Sequence, residues 1–454
     1  MKNIAFHNLG CKVNSYELAY VQQRFIDNGF NIVPFDQKAD IYVINTCTVT
    51  NIADRKSRQM LHRVRKLNPD AIVVAMGCYV ETSKAQAMED NDLDILIGNN
   101  DKGHAYEIIL EKLKSLECSA DTSTSFTKEQ PQDISKVTEY DEFTLETSED
   151  HTRVYIKIQD GCNQFCSYCA IPLARGRVRS RALENIVSEV TELTNKGYME
   201  FVLTGIHLSS YGIENYNVEM ENENGFSNSK LIEAIEAVAN IEGVKRIRLG
   251  SLEPRIITDE FLSQIRATGK ICPHFHLSLQ SGCDSVLKRM NRRYTASEFY
   301  EKAMLIREYF NHPAITTDVI AGFPGETDEE FEVTREYLNK VDFYEAHIFK
   351  YSRRKGTVAD KLPNQLTEKE KASRSDILIK EAAERSEIFR TYYIGLEVEV
   401  LFEEPVIIDG EKYLTGYTRE YVKVLYKTND ESLVNTIVKL IGVRVINGDT
   451  LLCF

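Results

Sequence analysis

No stretch of the 454-residue chain reaches the roughly 18 consecutive apolar residues of a membrane-spanning helix, so a helical membrane protein is excluded. A secretory leader is also missing: Met1-Lys2-Asn3 runs straight into the strand-like Ile4 to His7, and the expectation is a soluble cytoplasmic protein without membrane contact. No internal repeat is visible, which argues against solenoids and propellers. Basic residues are in deficit, 55 Lys and Arg against 69 Asp and Glu for a net charge of −14. Taken alone, that deficit argues against a nucleic-acid partner. Its distribution removes the objection. Residues 117 to 150 carry ten acids and two lysines, and residues 214 to 229 carry four acids and no base, leaving −2 for the rest. Both stretches are polar and without apolar periodicity, so they read as a linker and a long loop.

What is present is a globular composition, 43% hydrophobic and 27% charged, with length for about three domains. Residues 1 to 116 alternate short apolar runs (4 to 8, 41 to 45, 72 to 76, 95 to 97) with helical patterns, which predicts a parallel sheet wrapped by helices. After an acidic linker, 117 to 150, the alternation resumes over 151 to 390. Its strands fall near 154 to 159, 201 to 204, 246 to 250, 274 to 279, 316 to 321 and 344 to 349. Six strands with intervening helices predict a partial (β/α)6 barrel, with functional residues at the C-terminal strand ends. Residues 391 to 454 change to short alternating runs around Gly and Asp turns, as in a small all-β barrel. The fold class is α/β with a terminal β domain.

The chain has ten cysteines, and without a secretory signal these point to metal or redox chemistry rather than disulfides. Cys162, Cys166 and Cys169 form a CxxxCxxC loop directly after a predicted strand. Three soft thiolates so close can hold three irons of a [4Fe-4S] cluster and leave the fourth iron open. Zinc is the alternative, but a structural zinc closes its shell with paired CxxC or His partners, and none lies nearby. Cys11, Cys47 and Cys78 each follow a predicted strand of the first domain, where loops converge on one sheet edge. By spacing alone they are either inert buried thiols or a second soft-ligand site. Cys118, Cys272, Cys283 and Cys453 lack grouping and read as structural.

With these motifs the chain resembles the methylthiotransferases of the radical S-adenosylmethionine (SAM) superfamily over nearly its whole length. That family combines a three-cysteine N-terminal domain, a CxxxCxxC barrel and a terminal TRAM domain. The wording Gly10-Cys11-Lys12-Val13-Asn14 and Asp160-Gly161-Cys162-Asn163, followed by Ala174-Arg175-Gly176-Arg177-Val178-Arg179-Ser180-Arg181, is most similar to members that convert N6-threonylcarbamoyladenosine at tRNA position 37 to its 2-methylthio derivative. The resemblance implies two [4Fe-4S] clusters, one on Cys162, Cys166 and Cys169 and one on Cys11, Cys47 and Cys78. It also implies one SAM as methyl donor and one as radical source. The implied partners are a tRNA anticodon stem-loop, an external electron donor and a sulfur donor that the sequence does not specify. Beyond the cluster ligands it names no catalytic residue. The same architecture also serves isopentenyladenosine in tRNA or an aspartate of a ribosomal protein. A rival of another class is a non-catalytic, metal-containing RNA-binding protein.

Strand ends of the barrel supply the expected SAM contacts: Tyr168 beside the cysteine loop, Gly205, Ser251, Glu253, Gln280 and Gly322. For each, turn formation or barrel packing is the competing reading. Arg175, Arg177, Arg179 and Arg181 alternate, which on an extended segment gives one basic face fit for phosphates or for the SAM carboxylate. Arg55, Lys56 and Arg58, on the helix after Cys47, form a second basic patch, and both patches are RNA-contact candidates against the alternative of a solvated face. Residues 391 to 454 hold six basic and ten acidic side chains, so RNA binding there leans on tyrosines such as Tyr413, Tyr417, Tyr421 and Tyr426. More often such tyrosines are half-buried strand residues.

Overall fold

A computed structural model describes residues 2–118, 130–146, 152–214 and 228–454. The N-terminal sheet is wholly parallel, in the order Asn31–Ile32, Asn3–Asn8, Ile41–Thr46, Ile72–Gly77, Ile95–Ile97. Its two longest central strands, Ile41–Thr46 and Ile72–Gly77, are buried along their whole length, as a sheet covered on both faces requires. One apolar layer packs beneath helices Lys12–Asp27 and Ala105–Cys118, the other beneath Asn51–Leu67.

In the central domain, strands Arg153–Asp160, Glu200–Gly205 and Arg246–Leu249 pair in parallel, as do His274–His276, Ala314–Ala321 and Glu345–Lys350. Parallel bridges from Ile247 to Ile271 and from Leu252 to Leu277 join the two halves into one six-stranded partial barrel. Alternation along the first strand sorts its side chains. Val154, Ile156 and Ile158 enter the core with Ile186, Val190 and Leu193 of helix Leu183–Asn195, while Tyr155, Lys157 and Gln159 face the other way, into the barrel.

A 24-residue helix, Glu368–Thr391, opened by a Thr367/Glu370 capping box, leads to a closed five-stranded barrel. This barrel docks where the central strands begin. Arg246 donates to the Glu399 carboxylate (2.9 Å) and to Tyr417 O (3.1 Å), and Arg248 donates to Thr418 O and Arg419 O (both 2.7 Å). Tyr417 and Tyr421 stack on each other at 4.7 Å, with the Arg153 guanidinium over both rings. Those two tyrosines are therefore spent on the domain interface.

Part of the acidic stretch expected as a linker and of the acidic loop lies outside the described residues. Residues 130–146, however, do not behave as a solvated linker. Ile134, Val137, Phe143 and Leu145 are buried, Phe143 stacks on Tyr20 at 4.9 Å, and Tyr140 donates to Lys157 O at 2.8 Å. The segment wedges its few apolar residues between the first domain and the barrel, and two of its acids are used there too: Asp141 accepts from Gly103 N (3.1 Å) and Glu142 pairs with Arg181.

Candidate cofactor sites at the domain seam

The loop carrying Cys162, Cys166 and Cys169 starts at the C-terminal end of the first barrel strand. Gly161 has φ of 71°, and a side chain there would come within 1.7 Å of Arg177 O, so only glycine fits. Backbone bonds from Cys162 N to Gly176 O (3.1 Å), Ser167 N to Met290 O (2.9 Å) and Cys169 N to Cys166 O (3.0 Å) fix its course. Each sulfur also receives a donor: Gln164 N to Cys162 (3.5 Å), Ile171 N to Cys169 (3.4 Å) and Arg292 Nη1 to Cys166 (3.3 Å). Donors aimed at sulfur stabilise thiolate ligands and tune the metal they hold. Burial, reinforced by the neighbouring thiols, pushes Cys162 and Cys169 up to about 12.

Cys11, Cys47 and Cys78 follow strands Asn3–Asn8, Ile41–Thr46 and Ile72–Gly77. Cys47 lies within electrostatic reach of both Cys78 and Cys11: burial pushes its thiol up to about 11, and the two other thiols add to this. Ser57 straps the Cys47 loop to helix Asn51–Leu67, accepting from Cys47 N (3.2 Å) and donating to Cys47 O (3.1 Å). Asn99 Nδ2 points at Cys78 Sγ from 3.5 Å.

The same asparagine amide donates to Ala174 O (2.7 Å), in the short helix Ile171–Arg175 that follows Cys169, so one side chain touches both cysteine loops. Arg175 completes the joint. Its guanidinium reaches Asn14 Oδ1 (2.5 Å), Glu17 Oε1 (2.6 Å) and Asp160 Oδ2 (3.1 Å). Glu17, on the helix that Cys11 opens, also binds Lys102 and Lys157. Burial pushes Glu17 up, but Arg175, Lys102 and Lys157 outweigh it and hold the carboxyl well below its usual range. From the far side of the barrel, Arg354 donates to Asn51 Oδ1 (2.6 Å) and Thr48, and Ser352 accepts from Asn51 N (2.9 Å). Both the first and the last barrel strands thus grip the three-cysteine domain.

Two features show that these residues fit iron-sulfur ligation. Four buried cations, Lys102, Lys157, Arg175 and Arg179, share two carboxylates, Glu17 and Asp160, and Cys78 lies within electrostatic reach of Lys102 and Arg175. Buried charge left over in this way calls for an anion, and thiolates supply it whereas neutral thiols do not. Second, the sulfurs of Cys162, Cys166 and Cys169 each receive a hydrogen-bond donor, an environment that suits thiolate ligands.

The expected SAM-contact residues sit at successive strand ends. Tyr168 is half-buried against Val286, Met290 and Phe323, and burial, reinforced by Cys166 and opposed by Arg292, pushes its phenol well up. Gly205 closes its strand, Ser251 is exposed, Glu253 is buried and takes Arg255 at 2.7 Å, and Gln280 and Gly322 both have positive φ. A side chain at Gly322 would press on Lys371, 2.6 Å away. His207, half-buried, is pushed down to about 3 by desolvation and then by Arg292 and Arg255, and stays neutral.

Of the basic residues, Arg55, Lys56, Arg58 and Arg177 are exposed, the last with its guanidinium 4.5 Å from the Phe165 ring. Arg175, Arg179 and Arg181 are not. They are at most 2% exposed, Arg175 and Arg179 bound by Asp160 and Arg181 by Glu189 and Glu142, so the expected one-face basic strip is corrected to three internal staples and one surface arginine. Only Arg179–Ser180 is extended; Arg175 lies in a helix, which breaks the alternation. Reading the sequence missed Glu17, Asn99 and Arg354, whose partners are remote in the chain. Cys272, Cys283 and Cys453 are buried singly.

Comparison with known proteins follows the same lines. Residues 156–338 match the radical SAM superfamily, and residues 3–98 match the uncharacterized protein family UPF0004. Among solved structures, the radical SAM methyltransferase TsrM of Kitasatospora setae, with cobalamin and a [4Fe-4S] cluster bound, aligns with a TM-score of 0.54 at 16% identity, covering 78% of this chain and 76% of that one. Fold and cysteine loop define a radical SAM enzyme. The threonylcarbamoyladenosine tRNA methylthiotransferase MtaB of Bacillus subtilis (strain 168) is 38% identical over 97% of this chain and 93% of its own. Its namesake in Aquifex aeolicus (strain VF5) is 37% identical over 93% and 98%. A tRNA-2-methylthio-N(6)-dimethylallyladenosine synthase of Thermoanaerobacter pseudethanolicus (strain ATCC 33223 / 39E) is 33% identical over 98% and 90%. The chain belongs to the radical SAM methylthiotransferase family, and with it come SAM and [4Fe-4S] clusters as cofactors.

Proposed function

We propose that the protein adds a methylthio group to C2 of N6-threonylcarbamoyladenosine at position 37, in the anticodon stem-loop of a cytoplasmic tRNA. The observation that supports this reading is the seam, where Arg175 binds Glu17 and Asn99 reaches both Cys78 and Ala174, tying the segment after Cys169 to the domain of Cys11, Cys47 and Cys78. The names of the more similar relatives supply the nucleoside. When bound, the two clusters supply one-electron cleavage of SAM at Cys162, Cys166 and Cys169 and a resting place for the transferred sulfur at Cys11, Cys47 and Cys78. The protein's own residues hold these ligands. Gln164, Ile171, Arg292 and Asn99 direct donors at the sulfurs, and the buried cations offset their charge.

Tyr168, Gly205, Ser251, Glu253, Gln280 and Gly322 form the SAM pocket, and Arg55, Lys56, Arg58 and Arg177 face the RNA. In this reading residues 1–116 are the auxiliary-cluster domain, 117–150 a joining segment, 151–390 the radical domain and 391–454 a TRAM barrel. An external electron donor and a sulfur donor complete the system. The test is anaerobic incubation of the reconstituted protein with SAM, a reductant and stem-loops bearing threonylcarbamoyl- or dimethylallyl-adenosine, followed by nucleoside mass spectrometry. A 2-methylthio product from the first substrate supports the proposal; product from the dimethylallyl substrate alone, or no SAM cleavage, refutes it.

A further inference from the structure

Lys12 follows Cys11 directly and is the first residue of helix Lys12–Asp27. Its neighbours Val13, Asn14, Tyr16 and Glu17 are buried, whereas Lys12 keeps its solvent exposure. Its ammonium reaches toward the barrel and lies 5.8 Å from the ring centre of Tyr155, one of the inward-facing residues of the first strand. Arg153, two residues before Tyr155 on the same face of that strand, and Arg248, in register with Tyr155 through Val202, present two guanidiniums on the same side of the sheet. Across the same space, burial lowers the pKa of His274, and Arg248 and Lys12 lower it further.

These cations differ in what they already bind. Arg153 pairs with Glu403 (3.1 Å) and with two tyrosine rings, and Arg248 pairs with Glu200 (2.6 Å) and two carbonyls of the terminal barrel. Asp318 is taken by His276 at 3.3 Å. Among the described residues, Lys12 has no carboxylate or carbonyl partner. A cation held against its like charges beside a candidate sulfur-transfer site is a prepared place for an anion.

We propose that Lys12 is the specificity residue that binds the carboxylate of the threonylcarbamoyl group. This rests on the function proposed above. N6 and C2 flank N1 on one edge of adenine, so a base whose C2 faces the Cys11, Cys47 and Cys78 site carries its N6 substituent into the same region. The carboxylate gains a charge-assisted bond to the ammonium and relieves its repulsion from Arg153 and Arg248. A dimethylallyl group does neither and leaves the ammonium desolvated against hydrocarbon, so Lys12 selects for the acidic substituent and against the apolar one.

The experiment compares reconstituted wild type with Lys12→Gln and Lys12→Arg, at matched iron content. Binding is measured to anticodon stem-loops carrying threonylcarbamoyladenosine or its methyl ester, with conversion assayed in parallel. Wild type is expected to bind the acid about tenfold or more tighter than the ester, Lys12→Gln to lose that ratio, and Lys12→Arg to keep most of it. An unchanged ratio in Lys12→Gln, or no ratio in a wild type that converts the acid, overturns the role of Lys12 alone. A wild type that cleaves SAM but never converts the acid overturns the underlying function instead.

Discussion

Glu17 shows what a single residue contributes here, since its carboxylate binds Lys102, Lys157 and Arg175 with no exposure to solvent. Glu17→Ala strands buried Lys102, leaves Lys157 and Arg175 with Asp160 alone, and is expected to cost about 3–5 kcal/mol, read from denaturant unfolding. The pH dependence has a definite sign. Glu17 and Asp160 are ionised in the fold well below their usual range, whereas in the unfolded chain they take protons near about 4. Their contribution is full above that value and is lost as pH falls through the depressed folded values, and Glu17→Gln flattens this acid slope in a pH series of unfolding curves. For the cysteines, Cys166→Ala is expected to abolish SAM cleavage, while Cys47→Ala retains some cleavage but forms no methylthio nucleoside. Equal loss of both activities in Cys47→Ala would contradict the division of labour. Local groupings such as that of Cys162, Cys166 and Cys169 were legible in the sequence because they show in spacing. The roles of Arg175 and Arg181 were not, because Glu17 lies 158 residues from Arg175, and nothing local distinguishes a staple from a phosphate contact.

At the scale of elements, the parallel strands announce themselves as apolar runs, and the segments after their ends carry the cysteines. The segment 130–146 did not announce itself, since four buried side chains scattered among acids have no period. Its contribution is measurable. Phe143, 4% exposed and packed on Tyr16 and Tyr20, should cost about 3 kcal/mol or more on truncation to alanine, seen as a lower unfolding midpoint. A solvated linker would show no such effect.

Taken whole, the molecule places its terminal barrel beneath the strands and its three-cysteine domain against the cysteine loop, so one central barrel sets both neighbours. Tyr417 and Tyr421 are committed to the first interface, which leaves the exposed Arg55, Lys56 and Arg58 beside the second as the proposed RNA contacts. Replacing these three by alanine should weaken tRNA binding and reduce the slope of log affinity against log salt by about 2–3, as counterion release requires. An unchanged slope would place the RNA elsewhere. The central claim, that two sulfur trios meet at the seam and each holds its own cluster, is tested most directly by counting iron and sulfide after anaerobic reconstitution. The account predicts about eight irons per wild-type chain and about four in each of two triple variants, Cys11/Cys47/Cys78→Ala and Cys162/Cys166/Cys169→Ala. Eight irons in either triple variant, or zinc in place of iron in the wild type, would contradict it.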